Sequence, residues 1–251
     1  MSRLHSFEAG GYSFLEGGFP YSQGVIADPG FAIRRVRFLR PLPVARGFEA
    51  IANHLTANSR PLTALCAAEL RSPMPFTFEG FHEFNNGYVE VLRAWGLTLQ
   101  GLNPVARSNV CPLAAPPSEP VFYAFSYTVL ATDATAAADF VVAGSGEWPE
   151  GSPFPERIVA RGDVSPAGLG RKAAFVIQMM HNRVDELRGE WGRLTGVQVY
   201  TVHDFHPLLA SHFDDEGLTP IGLTWQVCNP PIRELEFEMD VRSVGTELVI
   251  G

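Results

Sequence analysis

The chain runs to 251 residues, 46% of them apolar and 18% charged, with a formal net charge of -8 at pH 7. That apolar content supports a sizeable core and excludes a disordered chain, and the acidic balance argues against a nucleic-acid or anionic-membrane partner. Three cysteines, Cys66, Cys111 and Cys228, stand far apart with no Cys-x-x-Cys pair, so neither a disulfide framework nor a structural zinc site is expected.

The first eight residues lack the apolar stretch of a signal peptide, and no apolar run approaches membrane-spanning length. With reduced thiols this points to a soluble, cytoplasmic protein with no membrane partner. Residues 12–15, 22–27 and 31–39 read as strands, the last two joined by the turn signal Asp28-Pro29-Gly30, and Pro41 and Pro43 then stop the sheet. Phe48, Ile51 and Leu55 recur at helical spacing and predict a helix over 44–57. The continuous apolar run 62–69 reads as a strand buried on both faces. A second helix is predicted over 79–95, with Phe81, Phe84, Tyr88, Val91, Leu92 and Trp95 on one stripe. Strands follow at 108–114 and 121–130, around a Pro-rich loop. The small polar run 131–138 reads as a linker.

The same order then restarts. Strands are predicted at 140–145 and 157–161, and a helix over 168–187 on the stripe Val176, Met180, Val184 and Leu187. A strand at 197–202, a short helix at 204–213 and strands at 223–227 and 235–244 complete the chain. A repeated element order is an internal repeat. It predicts two tandem α/β (α+β) domains, 1–131 and 132–251, each a mixed sheet with two helices packed on one face.

Three features stand out by their order. Pro20-Tyr21-Ser22-Gln23-Gly24 opens a strand, Phe81-x-x-x-Asn85-x-x-Tyr88 lies on the second helix, and Arg107 opens the strand after it. On its own Arg107 also suits a surface strand edge, and Asn85 a buried structural amide. Together the three resemble the Rid family, the YjgF-like reactive-intermediate deaminases with a chorismate-mutase-like fold. The second half resembles the family more weakly, in a strand ending Ser145-Gly146, a Gly162-Asp163 pair before a long helix, and Tyr200 leading to Asp204-Phe205.

The resemblance implies an activity and a site. The activity is cofactor-free hydrolytic deamination of an enamine or imine carboxylic acid, releasing ammonia. With two fused domains it is similar to 2-aminomuconate deamination in aromatic-compound degradation. Arg107 corresponds to the arginine that binds the substrate carboxylate, a role its planar fork of donors suits. Asn85 and Tyr21 correspond to residues that position the ligand. The last strand, Leu235-Glu-Phe-Glu-Met-Asp-Val-Arg, alternates apolar and charged residues, which by itself reads as a strand with one solvated face. Aligned with the family's Val-Glu-Ile-Glu strand, it gives the acid–base role to Glu238. A second cation for a dicarboxylate is left open among Arg93, Arg233, Arg34, Arg35 and Arg37.

Departures matter as well. The family's cysteine two residues past its arginine is Asn109 here, and Cys111 reads as a small core residue. The second half has Leu209 in place of Asn85, and Thr219 or Pro220 in place of Arg107, so one working site per chain or chain–chain junction is expected. His203, His206 and His212 fit no common zinc spacing, and no metal or cofactor is expected. The partner is a small-molecule carboxylate, and the assembly a monomer or homotrimer. Two alternatives stand beside the deaminase: a chorismatase-like hydrolase, whose chains are longer, and a non-enzymatic protein that binds small acids.

Overall fold

The computed structural model describes residues 2–133 and 137–251. Residues 134–136 of the expected linker lie outside the described residues. The first half contains β1 (Leu4–Phe7), β2 (Tyr12–Leu15), β3 (Gly24–Ala27), β4 (Phe31–Pro43), α1 (Val44–Ala57), β5 (Leu65–Arg71), α2 (Phe78–Ala94), β6 (Ala106–Pro112) and β7 (Val121–Leu130). The second contains β8 (Phe140–Gly146), α3 (Pro166–Glu186), β9 (Gly196–Tyr200), β10 (Leu223–Gln226), β11 (Cys228–Asn229), β12 (Glu238–Ser243) and β13 (Thr246–Ile250).

Two mixed sheets result, as the Rid-like reading expects. One has the order β11-β6-β5-β7-β4-β13, with β5–β6 and β4–β13 parallel; the other is β1-β2-β3-β8-β12-β9-β10, with only β9–β10 parallel. Each sheet takes strands from both halves of the chain. β1–β3 leave the first half and join β8, while β11 and β13 return from the second half to flank the first sheet.

The helices cover the outer faces. Phe48, Ile51 and Leu55 of α1 and Tyr88, Val89 and Leu92 of α2 pack with Val36, Leu65, Phe125 and Tyr127 of the first sheet. Leu169, Val176, Met180 and Val184 of α3 pack on Val142, Val199, Met239 and Val241 of the second. Capping fixes where the two longer helices start. The Thr77 hydroxyl accepts from the Gly80 N–H at 3.0 Å and Ser165 from the Gly168 N–H at 3.1 Å, with Pro166 in the first turn of α3.

The inner faces of the sheets are polar. Arg35 on β4 grips Glu69 on β5 with two bonds of 2.6 and 2.9 Å. Burial alone would raise the Glu69 carboxyl, but the Arg35 guanidinium outweighs it and holds it well below the usual range. Across the gap, Asp240 on β12 accepts from the Ser108 hydroxyl of β6 at 2.6 Å, the Tyr200 hydroxyl at 2.7 Å and Gln198 at 2.9 Å. Arg71 on β5 reaches Gln226 on β10 at 2.9 Å. Low dielectric makes such a network strong only when its members are paired.

Several elements differ from expectation. Residues 157–161 form a turn, because Pro155 removes a donor and Ala160 and Gly162 take φ of 48° and 72°, which ends an extended run. Ile158 alone is buried there, against Ile232 and Leu235. The short helix at 204–213 is one 3-10 turn, His206–Leu208, followed by a wide turn, Leu209–Asp214, so the second sheet carries one long helix. β4 continues through Pro41 and Pro43, since β13 pairs only as far as Phe38 and the proline positions beyond lie on a free edge. Strands β1 and β13 were not expected from the pattern. Leu235 precedes β12 and packs with Ile158.

Lys172 and Glu147 form a fully buried pair at 3.0 Å. Glu147 also accepts the backbone N–H groups of Glu236 and Phe237 at 2.7 and 3.1 Å, pinning the entry to β12. Removing one partner leaves the other buried and uncompensated. Lys172→Met is therefore expected to lose about 3–5 kcal/mol of unfolding free energy in urea titration, and an unchanged midpoint would refute this assignment.

Candidate active site

A cavity partly open to solvent lies where the start of α2, the loop before β3 and the edges of both sheets meet. Tyr21, Arg107, Glu238, Arg183 and Glu150, with Asn109 and Ser145, supply its polar groups, and Phe81, Trp148, Ile232 and Leu235 its apolar wall. Convergent polar groups beside an apolar wall are the usual character of a small-molecule site.

Arg107 is 3% exposed. It sits over the rings of Tyr88, Tyr21 and Phe81, with centroids 5.0, 5.2 and 5.4 Å away. Its Nη1 donates to Asn85 Oδ1 at 2.7 Å, and its Nη2 has no partner. Burial pulls the guanidinium below its ordinary value, yet arginine keeps its proton in proteins. The group is thus a buried cation held by a neutral amide and an aromatic cage, with donor capacity to spare. Among the described residues, the buried side-chain atoms without a partner are Tyr88 Oη, Arg107 Nη2, Asn109 Nδ2, Arg183 Nε and Arg242 Nη1. Of these, Arg107, Asn109 and Arg183 belong to residues that line this one cavity.

Glu238 opens β12 beside a bulge in β8. Met239 pairs with Ser145 and Val241 with Val142, so β8 carries one extra residue across from Asp240. Gly144 lies in that bulge, and a Cβ there would stand 2.3 Å from Glu238 Oε1 and 3.2 Å from Ser108 Oγ. The carboxyl rests against bare backbone. Burial, then the nearby Asp240 and Glu147, raise its pKa well above the usual carboxylate range, against the opposing pull of Arg71 and Arg107. A carboxyl shifted in this direction favours its protonated form, which suits it to act as a general acid.

Comparison with known proteins decides the family. The profile of 2-aminomuconate deaminase CnbZ matches residues 4–248. A 2-amino-5-chloromuconate deaminase of Comamonas testosteroni is 44% identical over 245 residues, covering 97% of this chain and 98% of that one. The chain belongs to the 2-aminomuconate deaminase family. It is accordingly an enzyme, a deaminase. Among solved structures, the YjgF gene product of E. coli aligns with 43% of this chain and 80% of its own at 13% identity and a TM-score of 0.32. A chorismatase aligns with 96% of this chain and 79% of its own at 10% identity and a TM-score of 0.46.

The deaminase brings Tyr21, Arg107 and Glu238 to one cavity from three distant parts of its sequence. Asn85 differs from expectation: it contacts Arg107 rather than lining the cavity, and so orients the guanidinium. The face of β12 expected in solvent is buried at Glu238 and Asp240, because the other sheet covers it. None of the cations left open lines the cavity. Arg93 lies over Phe19, Arg37 over Tyr123, Arg35 is bound to Glu69, and Arg233 reaches the Pro75 carbonyl. Arg183 on α3 lines the cavity instead.

The three cysteines are buried free thiols, and burial pushes Cys111 up to about 12, the wrong direction for a nucleophile. His203, His206 and His212 do not converge, bonding to Glu236, Asp204 and Ser211 respectively. Among the described residues no cluster of metal-ligating side chains occurs, and no helix is long and apolar enough to cross a membrane.

Gly144→Ala tests the Glu238 contact. The new methyl displaces the carboxyl, and kcat is expected to fall on the order of 100-fold with little change in the urea midpoint. Full activity in that variant would mean the carboxyl position does not matter.

Proposed function

We propose that the enzyme hydrolyses the C–N bond of 2-aminomuconate or a ring-cleavage relative of it, releasing ammonia. One observation carries the reading: a buried guanidinium with an unpaired Nη2 shares a cavity with the buried carboxyl of Glu238, whose burial favours its acid form. The substrate class follows from the names of the matching family and of the 44% identical relative.

In this mechanism Arg107 binds the carboxylate next to the amine-bearing carbon, held in orientation by Asn85 and by the faces of Tyr88, Tyr21 and Phe81. Glu238 gives its proton to the enamine β-carbon, and the nitrogen lone pair closes the C=N bond of an iminium. The resulting carboxylate takes a proton from a water as its oxygen bonds the iminium carbon. Proton transfer to nitrogen and collapse of the carbinolamine break the C–N bond, leaving a 2-keto acid and ammonia. Tyr21, whose hydroxyl burial keeps protonated, is a hydrogen-bond donor at the cavity wall. An iminium is already electrophilic, and these steps need only this chain's residues and water.

Ammonia release from freshly generated 2-aminomuconate is the test. Arg107→Ala is expected to lower kcat/KM by about 100-fold or more, the worth of a paired charge-assisted contact. Glu238→Gln is expected to lower kcat by about 100- to 10,000-fold, the range of general acid–base catalysis. Wild-type turnover that survives either change would overturn the assignment of that residue.

The pH profile carries a separate sign. A raised pKa means that Glu238 stays in its acid form above the ordinary carboxylate range. Activity is expected to hold through that range and to fall as pH rises through the raised value. Residual activity of Glu238→Gln should lack this falling limb; a limb that persists in the variant belongs to another group.

A further inference from the structure

Arg183 lies on α3, lines the same cavity as Arg107 of β6, and is 2% exposed. Its Nη1 donates to the Ala143 carbonyl at 3.1 Å, a group made available by the β8 bulge. Its Nη2 reaches Glu150 at 3.3 Å, and its Nε has no partner. The Arg35–Glu69 pair shows what a settled arginine–carboxylate pair looks like in this molecule, with two prongs at 2.6 and 2.9 Å. Arg183–Glu150 is one-pronged and longer. Glu150 is also shared, taking a 2.9 Å bond from Gln23 Nε2, and its side chain is 24% exposed.

The cavity therefore holds two buried guanidiniums, one on β6 and one on α3, each with an unpaired N–H. Against them stand one loosely held carboxylate, Glu150, and the buried Glu238, whose surroundings favour its acid form. Phe81, Trp148, Ile232 and Leu235 line the space with carbon. Two cationic ends and an apolar wall suit a conjugated chain bearing a carboxylate at each end.

We propose that Arg183 receives the second carboxylate of the substrate, and that Glu150 is the resting counter-ion which that carboxylate displaces. This rests on the deaminase reading above and adds the residue that selects a dicarboxylate. Glu150 near the mouth keeps the arginine paired while the site is empty, and yields to a ligand group that offers two oxygens to the fork.

The test compares two unreactive six-carbon dienes, trans,trans-muconate with two carboxylates and sorbate with one, binding to the full chain by calorimetry. Wild type is expected to prefer muconate by about 30-fold or more, the worth of one charge-assisted pair. In Arg183→Met the preference should collapse to within about threefold, and Arg183→Lys should keep part of it, as a cation without the fork. Glu150→Gln should bind muconate more tightly, because the arginine loses its competitor. Equal affinity of wild type for the two acids overturns the proposal without reference to any variant, and so does a preference retained in Arg183→Met. Weaker muconate binding in Glu150→Gln overturns the counter-ion role. These outcomes are separate from loss of the deaminase reading, which is judged by ammonia release and by Arg107→Ala.

Discussion

A guanidinium buried beside an amide rather than a carboxylate is the constraint around which this structure is arranged. Arg107 cannot shed its proton, and a cation in low dielectric is costly unless something answers it. Elsewhere in the same inner layer the answer is covalently part of the chain, as Glu69 is for Arg35. At Arg107, among the described residues, the hydrogen-bond partner is Asn85 and three aromatic faces lie around it. An aspartate at that position would satisfy the arginine and leave nothing for an anionic ligand. The neutral amide fixes the geometry and keeps the charge free.

The layering of the fold makes such a group possible. Apolar stripes of the helices cover the outer faces, so the inner faces are free to be polar. The cavity opens where this polar interlayer reaches the edge of both sheets, and the β8 bulge there bares backbone twice, as space for Glu238 at Gly144 and as a carbonyl for Arg183 at Ala143. The two halves are not equivalent in this arrangement. The first brings Tyr21 and Arg107, the second brings Glu238 and Arg183, and one complete set of polar groups results.

Much of this was legible in the letters. Helical periodicity placed α1, α2 and α3 to within a few residues, and the period-two alternation of the last strand separated Met239 and Val241 from Glu238 and Asp240 correctly. What alternation cannot say is what lies over the polar face. A second sheet and bulk water ask for the same letters, and here the sheet was present. The short strands β1 and β13 escaped because four or five residues carry little pattern, and their existence depends on partners far away in the sequence. Arg183 escaped for a different reason. A charge on a long helix reads as solvated, although Arg183 falls seven residues after Val176 and on the same stripe as Met180 and Val184. Lys172, four residues before Val176, carried the same signal. A charged residue in register with an apolar stripe marks a buried charge, and buried charges are paired or functional.

The exchange of strands between the sheets also sets an order on synthesis. β1–β3 are made early, but the strand they join, β8, is made only after the whole first half. The sheet of the first half in turn waits for β13 to flank β4 until the chain has passed residue 245. Tyr21 and its neighbours thus spend most of translation without their final surroundings. Such a chain resists being reshuffled: neither half can be lent to another gene without leaving its sheet short of strands.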